Sequence, residues 1–250
     1  MRRLILVKLG GSVITDKSKP FTPRKKVIAD LAGRIAKEFV KKNTDLIIGH
    51  GGGSFPHVPA AKYKTHEGLI GKDSLWGFCL TADAAVQIDR IVISEFLKQK
   101  LNVASFSPLS FIYGKKIIFE HIKKALGIGL IPVVYGDVVM NKKRGFEIYS
   151  GEKTLDLLAS KLSKFYKIIK IIHYTDTNGV YDAKGKTIPL ITLKNFKSIK
   201  KLIGGSKSTD VTGGMLHKVE ESLELVKNID AEVYIMSGFG KREFTKISKG

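Results

Sequence analysis

The sequence predicts an α/β fold, in which a largely parallel β-sheet carries helices on both faces. Short apolar runs alternate with longer amphipathic stretches through most of the 250 residues. Glycine-rich turns follow directly after several of these runs. Strand–helix alternation of this kind is typical of parallel sheets covered by helices, and such sheets bind ligands beyond the carboxyl ends of their strands.

Short apolar runs in the first half of the chain predict strands at residues 4–9, 46–48, 103–106 and 131–135. Thr22-Pro23 is typical of a helix start, with threonine as the N-cap and proline at the first helical position. Apolar residues then recur at every fourth position from Val27 to Phe39, which predicts a helix ending at about Lys42. Spacings of three and four from Ala82 to Phe96 predict a second long helix.

The second half predicts a β-hairpin over residues 138–149, helices over 153–162 and 215–226, and strands over 168–173 and 233–236. The turn of the hairpin lies at residues 141–145, which are mostly polar and end in glycine. The hairpin is the boundary that we predict within a single domain. It separates an N-terminal lobe of about residues 1–145 from a C-terminal lobe of about residues 146–250.

The charge balance favours anionic ligands. Lys and Arg number 43 against 23 Asp and Glu, so the formal net charge is +20, which attracts nucleic acid, membrane surfaces or phosphorylated small molecules. The lysines are scattered in pairs, unlike a basic tail that binds nucleic acid. The single cysteine, Cys79, excludes an internal disulfide and a cysteine-based zinc site. Because Lys8 makes the N-terminal apolar run too short for a signal peptide, we expect a cytoplasmic protein without a membrane partner.

Two segments at predicted strand ends indicate anion binding. Lys8 lies near the end of the first strand, where a buried ammonium needs an anionic partner, and the next turn, Gly10-Gly11-Ser12, lets amides point towards an oxyanion. The second segment, His50-Gly51-Gly52-Gly53, precedes His57, a residue type that suits a phosphate. For the first segment the alternative is a plain glycine turn with Lys8 on an exposed edge. For the second it is a flexible loop with His57 as a surface histidine.

Two further segments favour a nucleotide. Residues 209–218 open a helix in which Gly214 precedes Lys218, so this ammonium can lean towards a phosphate at the helix N-terminus. The residues that follow the strand at 168–173, Thr175, Asp176, Gly179 and Tyr181, could close around a nucleoside. The alternatives are an ordinary N-capped helix with a solvated lysine and an ordinary tight turn.

Cations and glycine loops at strand ends suit phosphoryl transfer, which depends mainly on positioning and electrostatic stabilisation. The GxxxxGK[ST] loop and the HRD and DFG signatures of protein kinases are absent from the sequence. A phosphate monoester acceptor has a second pKa near 6 and is already ionised at neutral pH. Such an acceptor needs cations that bring two anions together, whereas a hydroxyl acceptor would need a general base.

Together these segments resemble the amino acid kinase superfamily. The resemblance is carried by Lys8-Leu-Gly-Gly-Ser12, His50-Gly-Gly-Gly53, Thr175-Asp176 with Gly179-Val-Tyr181, and Asp210-Val-Thr-Gly-Gly-Met215 with Lys218. Within the superfamily the chain is most similar to the archaeal isopentenyl phosphate kinases, because Lys17 and His57 occur together and because of the segment Tyr135-Gly136-Asp137. The resemblance runs from Met1 to about Gly240.

The resemblance implies an open αβα sandwich, a homodimer, and transfer of the ATP γ-phosphoryl group to isopentenyl phosphate in isoprenoid biosynthesis. Mg²⁺ would bridge the ATP phosphates without an assigned protein ligand, and nucleic acid is not an expected partner. The implied catalytic residues are Lys8, Lys17, His57, Glu152 and Lys218. The implied nucleotide-binding residues are Lys8, Gly10, Gly11, Ser12, Lys17, Gly53, Thr175, Asp176, Gly179, Tyr181, Gly214 and Lys218. The implied acceptor-binding residues are Gly52, Gly53, Gly151 and His57.

The sequence departs from the family pattern at three places. Pro56 replaces a glycine before His57, Thr177-Asn178 stands where Val-Asp is usual, and the third departure lies at residues 150–153. Ser150-Gly151-Glu152-Lys153 stands where the family has Ser-Gly-Asp-Asp, whose first acid is expected to organise the two catalytic lysines. Two alternatives therefore stay open. One is a kinase of the same fold that acts on another small phosphate or phosphonate, such as a fosfomycin-like compound or a nucleoside monophosphate. The other is a non-catalytic nucleotide-binding protein.

Overall fold

The computed structural model describes residues 1–114, 116–203, 214–240 and 243–250. The strands within these ranges are β1 (Arg3–Leu9), β2 (Thr44–His50), β3 (Val103–Ser105), β4 (Ile112–Tyr113), β5 (Lys116–Ile117), β6 (Ile131–Tyr135), β7 (Asp137–Asn141), β8 (Gly145–Tyr149), β9 (Lys167–Thr175), β10 (Leu190–Thr192), β11 (Glu232–Ser237) and β12 (Phe244–Ser248). The α-helices are α1 (Gly11–Ile14), α2 (Lys25–Phe39), α3 (His57–Lys62), α4 (Ser74–Lys98), α5 (Pro108–Phe111), α6 (Glu120–Gly127), α7 (Gly151–Leu162), α8 (Phe196–Ile199) and α9 (Gly214–Asn228). None of the described helices combines the length and apolarity that a membrane crossing requires.

The main sheet has eight strands in the order β10-β12-β11-β9-β1-β2-β6-β3. All neighbouring pairs are parallel except β11 and β12, which are antiparallel. A smaller sheet has the order β5-β4-β7-β8, and its β7 and β8 form the predicted hairpin. β1 lies centrally, between β9 and β2. The chain continues from β1 to β2 on one side and returns later to β9 on the other, so the strand order changes direction at β1. In an open parallel sheet this is where a ligand cleft forms.

Alternate residues of β1 enter two separate apolar cores. Leu4 and Leu6 belong to one cluster, together with Leu155 of α7 and Val219 of α9. Val7 points the other way and packs in a second cluster formed with α2 and α4. The predicted α/β fold, with helices on both faces of a mostly parallel sheet, is therefore confirmed. Because side chains alternate along a strand, Lys8 shares the α7 and α9 face with Leu6.

Several boundaries differ from the sequence prediction. The helix expected to begin at Thr22-Pro23 begins at Lys25, because Pro23 pairs with Thr15 in an isolated β-bridge, and the helix ends at Phe39. β11 was predicted to be the last strand, but β12 follows it. The structure also contains β4, β5, β10 and α6, which were not predicted from the sequence. These strands are short or partly exposed, so they lack the continuous apolar run that identified the central ones.

Candidate functional site

Glycine amides link the carboxyl ends of five neighbouring strands into one continuous rim. The amides of Gly238, Gly10, Gly51 and Gly136 donate to the carbonyl oxygens of Thr175, Tyr174, Leu9 and His50, at 2.8, 2.8, 2.9 and 3.1 Å respectively. Each glycine follows the end of a strand and bonds to the strand beside it. The glycine segments predicted from the sequence therefore extend the edge of the sheet.

The first two glycine segments lie backbone to backbone. A methyl group on Gly11 would lie 2.7 Å from the amide nitrogen of Gly53, so only glycine allows this approach. Gly53 has a φ of +56°, in the left-handed region that favours glycine. The hydroxyl of Thr15 ties the two segments together, since it donates to the Gly11 carbonyl at 2.8 Å and accepts from the Ser54 amide at 2.9 Å.

Glu152 gathers two lysines from distant parts of the chain. Lys8 Nζ donates to Glu152 Oε2 at 2.6 Å, and Lys218 Nζ lies 3.4 Å from the same oxygen. Burial alone would raise the pKa of Glu152, but the ammonium groups of Lys8 and Lys218 hold it well below its usual range. Burial, with the nearby Lys218, lowers the pKa of Lys8. The cluster therefore sets two lysine side chains around one carboxylate, an arrangement suited to an anion.

Two titratable groups that sequence reasoning missed lie beside this cluster. His173 Nδ1 is 3.7 Å from Glu152 Oε1, and burial lowers the pKa of His173 to about 3. Asp156 follows Glu152 by one helical turn, and burial together with the charges of Glu152 and Glu221 raises its pKa to about 7. His173 interrupts the apolar strand β9 as Lys8 interrupts β1, so the signal that identified Lys8 was present there too. Asp156 carries no comparable sequence signal.

A second missed pair lies beneath the second glycine segment. His50 and Asp89 are both buried, with His50 Nε2 3.1 Å from Asp89 Oδ1 and His50 Nδ1 3.1 Å from the Gly51 carbonyl. Ser105 Oγ donates to the other Asp89 oxygen at 2.7 Å. The pair thus connects helix α4 and strand β3 to the residue that begins the glycine loop.

Lys17 lies apart from Glu152, at a cavity of about 460 Å³ that it lines with Ser12 and Asp176. Arg24 lines the same cavity, donates to the Ser12 carbonyl at 2.5 Å and lies over the Phe239 ring at 5.6 Å. The cavity therefore joins the first glycine turn, the loop that carries Lys17, and the segment after β9. Lys8 and Lys218 both contact Glu152, whereas Lys17 lines the cavity.

The other predicted site residues are held in loops and helix starts around the rim. Gly151 begins α7, and a methyl group there would lie 2.2 Å from the His50 carbonyl oxygen. A methyl group on Gly52 would lie 2.1 Å from Pro56, and His57 is exposed at the start of α3. Gly214 begins α9 with a φ of +69°. Residues 209–213 of the predicted nucleotide segment lie outside the described residues.

The segment after β9 forms a closed turn. Thr175 Oγ1 donates to the Thr177 carbonyl at 3.0 Å, and Tyr181 Oη accepts from the Asn178 amide at 3.0 Å. Gly179 has a φ of +132°, and a methyl group there would lie 2.6 Å from Thr245 Oγ1. These contacts fix the shape of the turn, and Asp176 is exposed at its start.

Over residues 1–114, 116–203, 214–240 and 243–250, no three His, Cys, Asp or Glu side chains are grouped to hold a metal ion. Proteins bind Mg²⁺ through one or two carboxylates together with substrate phosphates and several waters, so this ion does not require a cluster of three protein side chains.

The fold agrees with the comparison to known proteins. The model of the amino acid kinase family matches residues 3–237, and the chain belongs to that family. The resemblance deduced from the motifs is therefore confirmed.

Particular relatives carry a more specific name. The isopentenyl phosphate kinase of Methanocaldococcus jannaschii is 34% identical over 229 residues, which are 87% of this chain and 85% of that protein. The isopentenyl phosphate kinase of Methanothermobacter thermautotrophicus is 32% identical over 249 residues, 92% of this chain and 90% of that protein. A crystal structure of an isopentenyl phosphate kinase substrate complex has a TM-score of 0.77 at 23% identity and covers 97% of this chain and 99% of that one. This last likeness supports the fold.

Proposed function

We propose that this protein transfers the γ-phosphoryl group of ATP to isopentenyl phosphate and releases isopentenyl diphosphate and ADP. The observation that carries the proposal is the contact of Lys8 and Lys218 with one oxygen of Glu152, at the end of the sheet where the glycine segments gather. Paired ammonium groups suit a transferring phosphoryl group, whose charge is spread over three equatorial oxygens. The named relatives favour isopentenyl phosphate as the acceptor.

Lys8 and Lys218 act as fixed positive charges. An oxygen of the ionised acceptor phosphate forms a bond to the γ-phosphorus, the bond from that phosphorus to the bridging oxygen breaks, and ADP leaves. No proton has to be removed from the acceptor, so the site needs no general base. Glu152 holds the two ammonium groups in place before the substrates bind, and this preorganisation lowers the electrostatic cost of the transition state.

The nucleotide side of the site is assigned to the first glycine turn, Lys17 and the turn after β9. The cavity between Ser12, Lys17 and Asp176 supports this assignment, since it offers an ammonium beside a glycine turn. In this proposal Lys8, Gly10, Gly11, Ser12, Lys17, Gly53, Gly214 and Lys218 hold the phosphates, and Thr175, Asp176, Gly179 and Tyr181 line the adenosine site. Mg²⁺ would be held chiefly by phosphate oxygens and water, with the Asp176 carboxylate at the edge of the cavity, and would neutralise phosphate charge.

The acceptor side is assigned to Gly52, Gly53, Gly151 and His57. The close backbone approach at Gly53 and Gly151 supports this assignment, because it leaves amides at the rim without side chains in front of them. His57 would bind the acceptor phosphate from the start of α3. The homodimer, the cytoplasmic location and the division into lobes at about residue 145 belong to the same proposal and rest on the sequence resemblance.

Phosphorus NMR with ATP, Mg²⁺ and isopentenyl phosphate tests the proposal directly. We expect the acceptor monoester signal to be replaced by the two coupled signals of a diphosphate as ADP forms. ADP release with a nucleoside monophosphate or fosfomycin, and none with isopentenyl phosphate, would instead identify the same-fold kinase with another acceptor.

His57→Ala should raise the KM for isopentenyl phosphate far more than the KM for ATP, and an equal effect on both would contradict the role given to His57.

The non-catalytic alternative is favoured by Lys153, which reverses the charge of the second acid in the family's segment. Lys153 is exposed, and its backbone amide donates to Ser150 Oγ at 3.1 Å as part of the helix cap. ATP binding without transfer in the native protein, together with transfer in Lys153→Asp, would favour this alternative. We expect transfer in both proteins.

A further inference from the structure

His173 occupies a position that ties it to the lysine cluster. It pairs in register with Lys8 on the adjacent parallel strand, so both side chains leave the sheet on the face covered by α7. The side chain is 3% exposed, which places a polar ring inside an apolar layer. A buried polar group of this kind calls for an explanation, because leaving it without a partner is unfavourable.

The ring nitrogen that faces Glu152 has no hydrogen-bond partner among the described residues. His173 Nδ1 is fully buried and lies 3.7 Å from Glu152 Oε1. This gap is longer than a hydrogen bond and too short for a bridging water, which would hold the two atoms about 5 Å apart. A side-chain adjustment of less than about 1 Å would close it into a direct bond.

The two oxygens of Glu152 therefore face different partners. Oε2 contacts Lys8 and Lys218, while Oε1 faces His173. A carboxylate oxygen only accepts hydrogen bonds, so a proton on His173 Nδ1 would suit this contact and a lone pair would not. Since burial and the two ammonium groups keep His173 neutral, its ring carries one proton, and the position of that proton decides the interaction.

We propose that His173 is a positioning residue, whose neutral ring directs an Nδ1 proton at Glu152 Oε1 and thereby holds Oε2 towards Lys8 and Lys218. Glutamate has one more rotatable bond than aspartate, so its carboxylate needs a further contact to keep one orientation. His173 supplies that contact from the strand beside Lys8. The inference rests on the proposed phosphotransfer at this site, but it concerns the orientation of Glu152 and not the identity of the acceptor.

A double-mutant cycle between His173 and Glu152 tests the proposal through kcat. We expect His173→Leu to lower kcat about tenfold, with the KM values for ATP and acceptor changed less than about twofold. His173→Asn, whose amide can donate from nearly the position of Nδ1, should restore kcat to within about threefold of the native enzyme. In Glu152→Asp the shorter arm does not reach His173, so adding His173→Leu should change kcat less than about twofold. Equal losses from His173→Leu in both backgrounds would overturn the proposal.

The tautomer of His173 provides a measurement that does not depend on activity. Long-range proton–nitrogen NMR of ¹⁵N-histidine-labelled native protein should show His173 neutral with its proton on Nδ1 between about pH 6 and pH 8. A proton on Nε2 would overturn the proposal, even if the leucine variant failed to fold. An Nδ1 proton in a protein that does not phosphorylate isopentenyl phosphate would reject the proposed acceptor and leave the positioning of Glu152 intact.

Discussion

Lys8 and Lys218 approach the same carboxylate oxygen although they stand near opposite ends of the chain. Their ammonium nitrogens lie 2.6 and 3.4 Å from Glu152 Oε2, one from a central strand and the other from the first turns of α9. Two like charges this close repel each other, and the shared carboxylate offsets that repulsion. A bound polyphosphate would bring further negative charge to these two lysines.

Removing the charge of Glu152 should therefore disrupt the site. We expect Glu152→Gln to lower kcat by about 10- to 100-fold and to reduce the free energy of unfolding by about 3 kcal/mol, because the buried Lys8 and the partly exposed Lys218 lose their counter-charge. Steady-state kinetics and urea unfolding measure the two effects. Glu120→Gln is the control, since Glu120 is 64% exposed and its one ion pair among the described residues is with Lys123 on its own helix. Unchanged kinetics in Glu152→Gln would contradict the organising role of this carboxylate.

The raised pKa of Asp156 predicts that the free energy of unfolding depends on pH. Its pKa is raised from 3.8 to about 7, first by burial and then by the charges of Glu152 and Glu221. Between these values the unfolded chain releases a proton that the folded protein retains, so the free energy of unfolding falls as pH rises. Asp156→Asn lacks this step. Its stability relative to the native protein should therefore increase from about pH 4 to about pH 7 and stay constant above that range.

Urea unfolding of both proteins across this pH range measures the difference directly. Groups such as Glu152 titrate in both proteins, so their contributions largely cancel in the comparison. A difference that does not change with pH would show that Asp156 titrates normally in the folded state.

For the buried pair of His50 and Asp89, we expect the hydrogen bonds of Asp89 to matter more for stability than its negative charge. Asn at position 89 can still donate to His50 Nε2 and accept from Ser105, and His50 can still donate from Nδ1 to the Gly51 carbonyl. We expect Asp89→Asn to lower the free energy of unfolding by less than about 1.5 kcal/mol and Asp89→Leu by about 3 kcal/mol. Chemical denaturation measures both. Equal losses would mean that the negative charge itself is required.

The sequence predicted the central elements well because burial on both faces makes them continuous apolar runs. The same pattern identified Lys8, since a charged residue near the end of such a run needs a partner. The pattern also holds at His173, but Lys170 already interrupts β9, so a further polar residue in that strand is a weaker signal. Contacts such as that between His50 and Asp89 join residues far apart in the chain, and no periodicity encodes them.

The edge elements were less predictable for a different reason. β12 alternates buried and partly exposed residues over only five positions, and its antiparallel pairing with β11 depends on the rest of the sheet. The start of α2 shows a tertiary effect of the same kind. Pro23 satisfies the helix-start rule, yet it is used in the bridge to Thr15, and the helix begins two residues later.

Substituting Gly53 tests how far the glycine rim depends on the absence of a side chain at this position. Its φ of +56° disfavours any side chain, and a methyl group there would lie 2.0 Å from Thr15 Oγ1 and 2.7 Å from the Gly11 carbonyl oxygen. Gly114 is a matched control, because its φ is +55° and no atom of the described residues lies within 4 Å of a methyl group there. We expect Gly114→Ala to cost about 1 kcal/mol, from the backbone conformation alone.

Gly53→Ala should cost about 3 kcal/mol, since the steric conflict with Thr15 and Gly11 adds to the same backbone term. It should also raise the KM for the phosphate acceptor, because the two glycine segments would have to separate. Urea unfolding and acceptor titrations of the two variants measure these effects side by side. If both variants lost the same stability, and acceptor binding were unchanged in Gly53→Ala, the contact between the glycine segments would have no part in holding the acceptor.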